Sequence, residues 1–552
     1  MKSLKRLLAL VMALLLTLAA AGCGTAEPET LTVRAALRGT PATLDPARAV
    51  TETEKTVAAN LFENLMKQTA SGVVCAQASR YEYVDNMDGT ETYTFTLRSD
   101  IRWSDGGKVT ARDFVYAWQR LVDPETKSPH ASILNMVAGY ADAVAGDPAA
   151  LQVSAPDERT FVVNISGHCS YFLSVVCTAV CTMPVRSDVA EPAAQEGENS
   201  GDGSPADAAP QPDWSMDADT LLTNGPYTVG GMDDKGLTAT AAERYYDARR
   251  IGPQELDFLY TGSTEEAMSL YDAGEVDFVL DAGSAEGAIE ASSTRVSTVL
   301  INQMATSLSE PVRQAMSMVI DRNALAQAVA GEDEVYRAAD GLIPYGITTS
   351  DGRSFREANG AVIDNDPETY EERCSAAVDM LRRAGYTQTA LEHLSTVTLL
   401  YETNAADARV AQMLQYTWRE KLGIQVTTQG VAPEEMQATL ESGEFSLALT
   451  SVSADRNTAL SYLNRFSSGQ KENYGQLYSN AYDMLIRVAA NSSSDEARDA
   501  YLADAEKMLL DSGYVMPLYH ETYTWLLRST LTGLLNDGMG VYYFQNVVKA
   551  PV

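Results

Sequence analysis

Apolar and polar positions follow different rhythms in different parts of the chain. Residues 7–21 are apolar except for Thr17, and they follow Lys2, Lys5 and Arg6. Such a run is too short to span a bilayer comfortably, and its charged start and small-residue end are those of a signal peptide, predicted here over residues 1–22. Residues 31–37 alternate apolar and polar, as a half-buried strand does. Residues 53–67 change to a helical period that puts Val57, Leu61, Leu65 and Met66 on one face. Two alternating stretches at 81–84 and 93–97 flank a turn with Asp88-Gly89, which predicts a hairpin. Thr110 with Asp113 then opens a helix through Phe114, Tyr116, Trp118 and Leu121, because an acid three residues after a hydroxyl caps the first turn.

The later chain repeats an alternation of elements. Strands are predicted near 276–280, 296–301, 397–401, 424–428 and 445–450, with helices over 310–320, 370–384, 406–422 and 433–442. Strands alternating with helices predict an α/β fold. Residues 191–213 break the pattern: they carry no aromatic or branched aliphatic side chain and many Ala, Pro, Gly, Glu and Asp. Such a composition cannot bury enough surface to order itself, which predicts a flexible acidic insertion or an interdomain linker.

Charge narrows the function. The 552 residues carry 41 basic and 75 acidic side chains, a net charge of -34. A surface this acidic argues against nucleic acid and against anionic membranes as partners. No second long apolar run follows the first, so nothing downstream is predicted to cross a membrane.

Site chemistry is sparse. His168, Cys169, Cys177 and Cys181 invite a zinc reading, but their spacing fits no common zinc pattern. The stretch between them is apolar, so these cysteines read as small buried hydrophobes, and no metal or cofactor is predicted. The chain has only four histidines. It contains no H-E-x-x-H or G-x-S-x-G motif, so an extracellular hydrolase is the weaker reading and no enzyme activity is expected.

Two resemblances sharpen the picture. Leu18-Ala19-Ala20-Ala21-Gly22-Cys23 resembles the lipobox of bacterial lipoproteins. It implies cleavage before Cys23, lipidation of its sulfur, and a tether over residues 23–30 that holds the protein on the outer face of the cell membrane.

The second resemblance rests on an ordered set of segments. They are Thr43-Leu44-Asp45-Pro46, Asn60-Leu61-Phe62-Glu63-Asn64-Leu65, Tyr93-Thr94-Phe95-Thr96-Leu97-Arg98, Ile101-Arg102-Trp103-Ser104-Asp105-Gly106, and Val109 through Leu121. Thr223-Asn224-Gly225-Pro226-Tyr227, Val312-Arg313-Gln314-Ala315-Met316 with Ile320-Asp321-Arg322, and Leu422-Gly423-Ile424 follow. Together they resemble family 5 of the bacterial extracellular solute-binding proteins, closest to the oligopeptide-binding lipoproteins of ABC importers.

The resemblance implies a type II periplasmic-binding-protein-like fold of two α/β lobes with an extra subdomain. Lobe I would be 31–64, 185–300 and 517–552, the subdomain 65–184, and lobe II 301–516. The insertion then falls within lobe I, and the hinge near Val299-Leu300-Ile301 and Met516-Pro517-Leu518. The implied partners are a peptide ligand and the permease subunits, with the receptor itself a monomer. Other solutes of such receptors remain open: nickel chelates, haem, opines, sugars or peptide pheromones.

The same resemblance assigns the site. Asp455 would pair with the peptide ammonium, against the alternative that it caps a helix beginning near Thr458. Val452, Ser453 and Ala454 on one lobe, and Thr40 and Ala42 on the other, would pair with the peptide backbone; Pro41 between them has no N–H to offer. Tyr116 and Tyr519 match aromatic positions that face the cleft. Ser451 and Val452 stand where the family often has Gly-Trp, and Arg456 stands in place of a tyrosine.

Overall fold

Two strands of thirteen residues, Ile289–Ile301 and Val515–Leu527, run side by side through the middle of the molecule and belong to both of its halves. The computed structural model describes residues 30–69, 72–167, 169, 171–190, 213–304, 308–330, 335–349, 353–392, 394, 397–454, 456–492 and 494–551. Cys23, Asp455 and the predicted insertion up to residue 212 lie outside the described residues.

The long pair joins one sheet of mixed direction. On one side the order runs through Phe278–Leu280, Thr32–Arg38, Glu255–Thr261 and Gly236–Ala241 to Tyr227–Met232. On the other it runs through Leu447–Ser453 and Thr398–Glu402 to Thr427–Val431. The register between the long strands breaks twice. Ser292 faces Thr522 but the next pair is Val296 with His520, and Ser297 faces Tyr519 while Thr298 faces Pro517. The second break has a local cause: Pro517 has no N–H for the ladder. Its carbonyl instead accepts a bond from Arg322 Nε at 2.6 Å.

Val299, Ile301, Met516 and Leu518 are packed in the second-lobe core.

Strand alternation divides that core by face. Val299, Ile301, Leu447 and Leu449 point to helices Glu310–Met318, Tyr370–Arg383 and Ala405–Leu422. Val296, Leu300, Ala448 and Val452 point to the other layer, with helices Asn480–Ala490 and Asp495–Asp511. A strand buried on both faces must be apolar at successive positions, which is why Leu447-Ala448-Leu449 lacks strict alternation.

The first half shares a core with the subdomain. An antiparallel sheet in the order Ala78–Asp85, Glu91–Leu97, Thr160–Ile165, Val153–Asp157 packs on helix Ala111–Val122. Trp118 stands edge-on to Phe161 at 5.2 Å between ring centres. The predicted hairpin and the Thr110–Asp113 capping box are both present.

One predicted helix is shorter than its periodicity. It spans Glu52–Leu61, and Leu65 and Met66 lead into the strand Met66–Thr69. The Leu61 carbonyl accepts the Gly225 N–H at 2.9 Å instead of continuing the helix. Asn224 clamps the exit by accepting from Glu63 N at 3.1 Å and donating to Glu63 O at 2.9 Å. Any side chain at Gly225 would put its Cβ 2.7 Å from the Leu61 oxygen. The Asn224-Gly225-Pro226 motif thus serves the fold.

Candidate functional site

A cavity of about 710 Å³ lies between the halves, a size in the usual range for small-ligand sites. First-lobe residues form its floor. Glu52 and Lys55 stand on the first turn of helix Glu52–Leu61. Tyr523, from the central strand, donates its hydroxyl to Glu52 Oε1 at 2.8 Å and accepts from Ser293 Oγ at 3.3 Å. The helix start is built by Glu54, which accepts from the backbone of Ala42, Val50 and Thr51 at 2.9, 2.8 and 3.0 Å. Burial pushes the Glu54 carboxyl up, but these donors outweigh it and hold it below the usual range.

A C-terminal loop closes the floor. Asp537 accepts from Met539 N at 2.7 Å and Val541 N at 3.0 Å, and burial outweighs these bonds to raise its carboxyl pKa. Gly538 and Gly540 adopt φ of 78° and 84°, which side chains rarely take. A Cβ at Gly540 would also come within 3.0 Å of Glu52 Cγ.

The subdomain supplies one wall through His130, Ile133, Tyr171 and Cys181. The His130 ring donates from Nε2 to the Ala49 carbonyl at 2.7 Å, fixing this wall to the floor.

The second lobe supplies the facing wall from the loop after strand Leu447–Ser453 and from helix Asp495–Asp511. Ala454, Arg456 and Asn457 line the cavity, with Asp495, Arg498 and Asp499 beyond them. Asn457 Oδ1 accepts from Thr348 N at 2.8 Å, and its Nδ2 donates to the Asp537 carbonyl at 3.3 Å. Arg498 meets Asp495 at 2.9 Å. Helix Ala459–Leu463 is capped by Thr458, whose hydroxyl accepts from Leu460 N. The capping role that competed for Asp455 is thus filled by another residue.

The structure brings together only part of the predicted site. Ala454 lines the cavity, and Ser453 precedes it at the surface with its carbonyl held by Arg465 at 2.5 Å. Val452 points into the core. Thr40 is exposed and bonds the Asp234 carbonyl at 3.4 Å, while the Ala42 N–H is engaged by Glu54; neither residue lines the cavity. Tyr519 is packed in the second-lobe core, edge-on to Tyr336 at 5.2 Å, and Tyr116 packs against the first core. The aromatic walls are instead Tyr171, Tyr523 and Tyr543.

Cys169 and Cys177 are buried in the first core, where loss of solvent pushes both thiols up. With Cys75, Cys181 and Cys374 they are free thiols.

Comparison with known proteins agrees with this two-lobed geometry. The model of the bacterial extracellular solute-binding proteins, family 5 Middle, matches residues 74–474. The chain belongs to this family. It is 29% identical to the probable deoxycholate-binding periplasmic protein YgiS of Escherichia coli, over 92% of each chain. It is 27% identical to the periplasmic oligopeptide-binding protein OppA of Salmonella typhimurium, over 91% of this chain and 90% of that one.

Among solved structures, the unliganded open form of the murein tripeptide binding protein MppA superposes with a TM-score of 0.75 at 25% identity, covering 94% of this chain and 98% of that one. Another structure of MppA, from Escherichia coli, gives 0.66 at the same identity, covering 94% and 99%. No helix among the described residues is long and apolar enough to cross a membrane.

Proposed function

We propose that this family 5 protein is a lipid-anchored extracellular receptor that captures oligopeptides and delivers them to the permease of an ABC importer. The observation that carries the reading is the cavity wall after strand Leu447–Ser453. Ala454 and Arg456 flank Asp455 in sequence, and both line the space between the lobes. Asp455 is assigned to the peptide ammonium, a charge-assisted contact that strengthens as the lobes exclude water.

The backbone beside it suits an extended ligand. Strand Leu447–Ser453 pairs with Ile289–Ile301 as far as Ser453, but its pairing with Thr398–Glu402 is confined to Leu447 and Ala448. A peptide can add to the rest of that edge as a strand does. Relatives named for oligopeptides and for a murein tripeptide support this ligand class.

The long strand pair, with its broken register, serves as the hinge. Hinged closure would bring the walls together over the ligand. Cys23 carries the lipid anchor.

The test is the identity of the natural ligand. Protein purified without added ligand is denatured, and the released molecules are identified by mass spectrometry. Peptides with free N-termini are expected. A bile acid or another non-peptide solute as the sole cargo would contradict the reading.

A further inference from the structure

Asp537 stands in the C-terminal loop on the cavity floor, and its carboxylate is only half used. Oδ1 accepts from Met539 N at 2.7 Å and from Val541 N at 3.0 Å. Among the described residues, Oδ2 takes no hydrogen bond and no cation pairs with either oxygen. The two bonds on Oδ1 fix where the free oxygen sits. The backbone of Asp537 is held as well: its N–H donates to the Val541 carbonyl at 3.2 Å, and its carbonyl accepts from Asn457 Nδ2 at 3.3 Å. Asn457 is two residues beyond Asp455. The next residue leaves no slack, since a Cβ at Gly538 would lie 2.9 Å from the Gly346 carbonyl oxygen.

The other carboxylates of the cavity are placed differently. Glu52 Oε1 takes the Tyr523 hydroxyl at 2.8 Å and has Lys55 Nζ at 3.9 Å. Arg498 meets Asp495 at 2.9 Å and Asp499 at 4.0 Å. Asp537 has only the field of Lys55, and burial raises its carboxyl pKa against that field and the two backbone bonds. A carboxylate in this position carries a desolvation cost that an incoming cation would offset. The new contact would be charge-assisted, about twice as strong as a neutral one. Lobe closure lowers the effective dielectric around it and strengthens it further.

We propose that Asp537 is a specificity-determining residue that reads a cationic group on the bound peptide through its free carboxylate oxygen. The inference rests on the peptide reading of the cavity. The cation has two sources, a basic side chain and the α-ammonium of the peptide. The assignment of the α-ammonium to Asp455 favours the side chain.

The experiment is calorimetric titration of the wild type, Asp537→Asn and Lys55→Gln. The probes are free-amine alanine tripeptides with one arginine at the first, second or third position, the same peptides with citrulline there, and the N-acetylated form of each. Citrulline keeps the shape of arginine and lacks its charge. The wild type is expected to bind the arginine form at least ~tenfold more tightly than the citrulline form, ~1.4 kcal/mol, at one position at least. Asp537→Asn keeps an oxygen for both backbone bonds and loses the charge, so it is expected to bring that ratio to within about threefold of unity. Lys55→Gln removes a cation whose field opposes the incoming one, and it is expected to widen the ratio. Equal losses for the arginine and citrulline forms in Asp537→Asn, with none for the acetylated forms, would name the α-ammonium as the source.

Equal wild-type affinity for the arginine and citrulline forms, together with unchanged free-amine affinity in Asp537→Asn, overturns the proposal alone. So does a loss in Asp537→Asn that falls equally on all forms, acetylated ones included, which would make Asp537 only a turn former. A narrower ratio in Lys55→Gln also overturns it. Failure of the wild type to bind any of these peptides overturns the peptide reading and this inference with it. Matching thermal unfolding curves confirm that the variants fold, and the wild-type ratio with Lys55→Gln carries the test if Asp537→Asn does not fold.

Discussion

Arg120 and Asp45 form a two-pronged ion pair in the interior of the first half. Nη1 meets Oδ1 at 3.0 Å and Nη2 meets Oδ2 at 2.6 Å, with the side chains 9% and 1% exposed. Asp45 Oδ1 also accepts from Ala47 N at 3.1 Å, and the Ala47 carbonyl takes the Ser128 hydroxyl at 2.5 Å. The pair ties the segment after the first strand to the aromatic helix of the subdomain. The two parts also share a continuous apolar core.

Breaking that pair should be expensive. Arg120→Leu strands a buried carboxylate and should lower unfolding free energy by ~3–5 kcal/mol. Adding Asp45→Asn should recover part of the loss, since the remaining group is then neutral. Urea unfolding of the wild type, both single variants and the double variant measures this. Additive losses would show that the two side chains are not coupled.

Gly225→Ala tests the helix stop. The new methyl would lie 2.7 Å from the Leu61 oxygen, a contact only backbone movement can relieve. Overpacking of this kind costs about 1–3 kcal/mol. A fall of several degrees in Tm is expected, and an unchanged Tm would mean that the loop yields freely.

The same site shows what the sequence could and could not reveal. Apolar periodicity alone carried the helix on to Leu65 and Met66. Its end depends on a carbonyl claimed by Gly225, more than 160 residues away, and local pattern does not encode such a contact. The family resemblance placed Tyr519 at the cleft, but no local pattern shows which residues of 515–527 meet the cavity. Tyr519 sits in the core while Tyr523, four residues on and on the same face of a regular strand, reaches Glu52; the register break between His520 and Thr522 separates the two. The α/β alternation, the hairpin and the helix caps were legible because their causes lie within a few residues. The cavity was not, since Tyr171, Arg456 and Asp537 meet there from three distant stretches of chain.

His520 predicts a pH dependence. It is fully enclosed beside the register break and bonds the Gly341 carbonyl from Nε2 at 3.1 Å. Burial lowers its pKa to about 4, helped by Arg356 and Arg337 and opposed by Asp340 and the Gly341 bond. The folded protein therefore keeps this ring neutral where the unfolded chain takes up a proton. The contribution is fully present above pH ~6.5 and is lost as pH falls toward about 4, by on the order of 3 kcal/mol. Glu63 and Glu506 are raised by burial and act in the opposite sense. The difference between wild type and His520→Gln isolates the histidine. The variant should lose less stability between pH 6.5 and 4, and parallel curves would contradict the assignment.

The anchor is tested by Cys23→Ala. Without acyl chains the mature receptor has no proposed membrane attachment, so it should appear in the soluble extracellular or periplasmic fraction. Retention of the variant with membranes would refute lipidation at Cys23 as the anchor.

The central claim is that the cleft grips the free amino end of a peptide through Asp455. Calorimetric titration of a free peptide and its N-acetylated form against the wild type and Asp455→Asn tests it most directly. The free peptide should bind the wild type, and Asp455→Asn should weaken it by at least ~tenfold, or ~1.4 kcal/mol. The acetylated peptide should bind the wild type poorly and lose little more in the variant. Equal wild-type affinity for the two peptides, or intact free-peptide affinity in Asp455→Asn, would contradict the account.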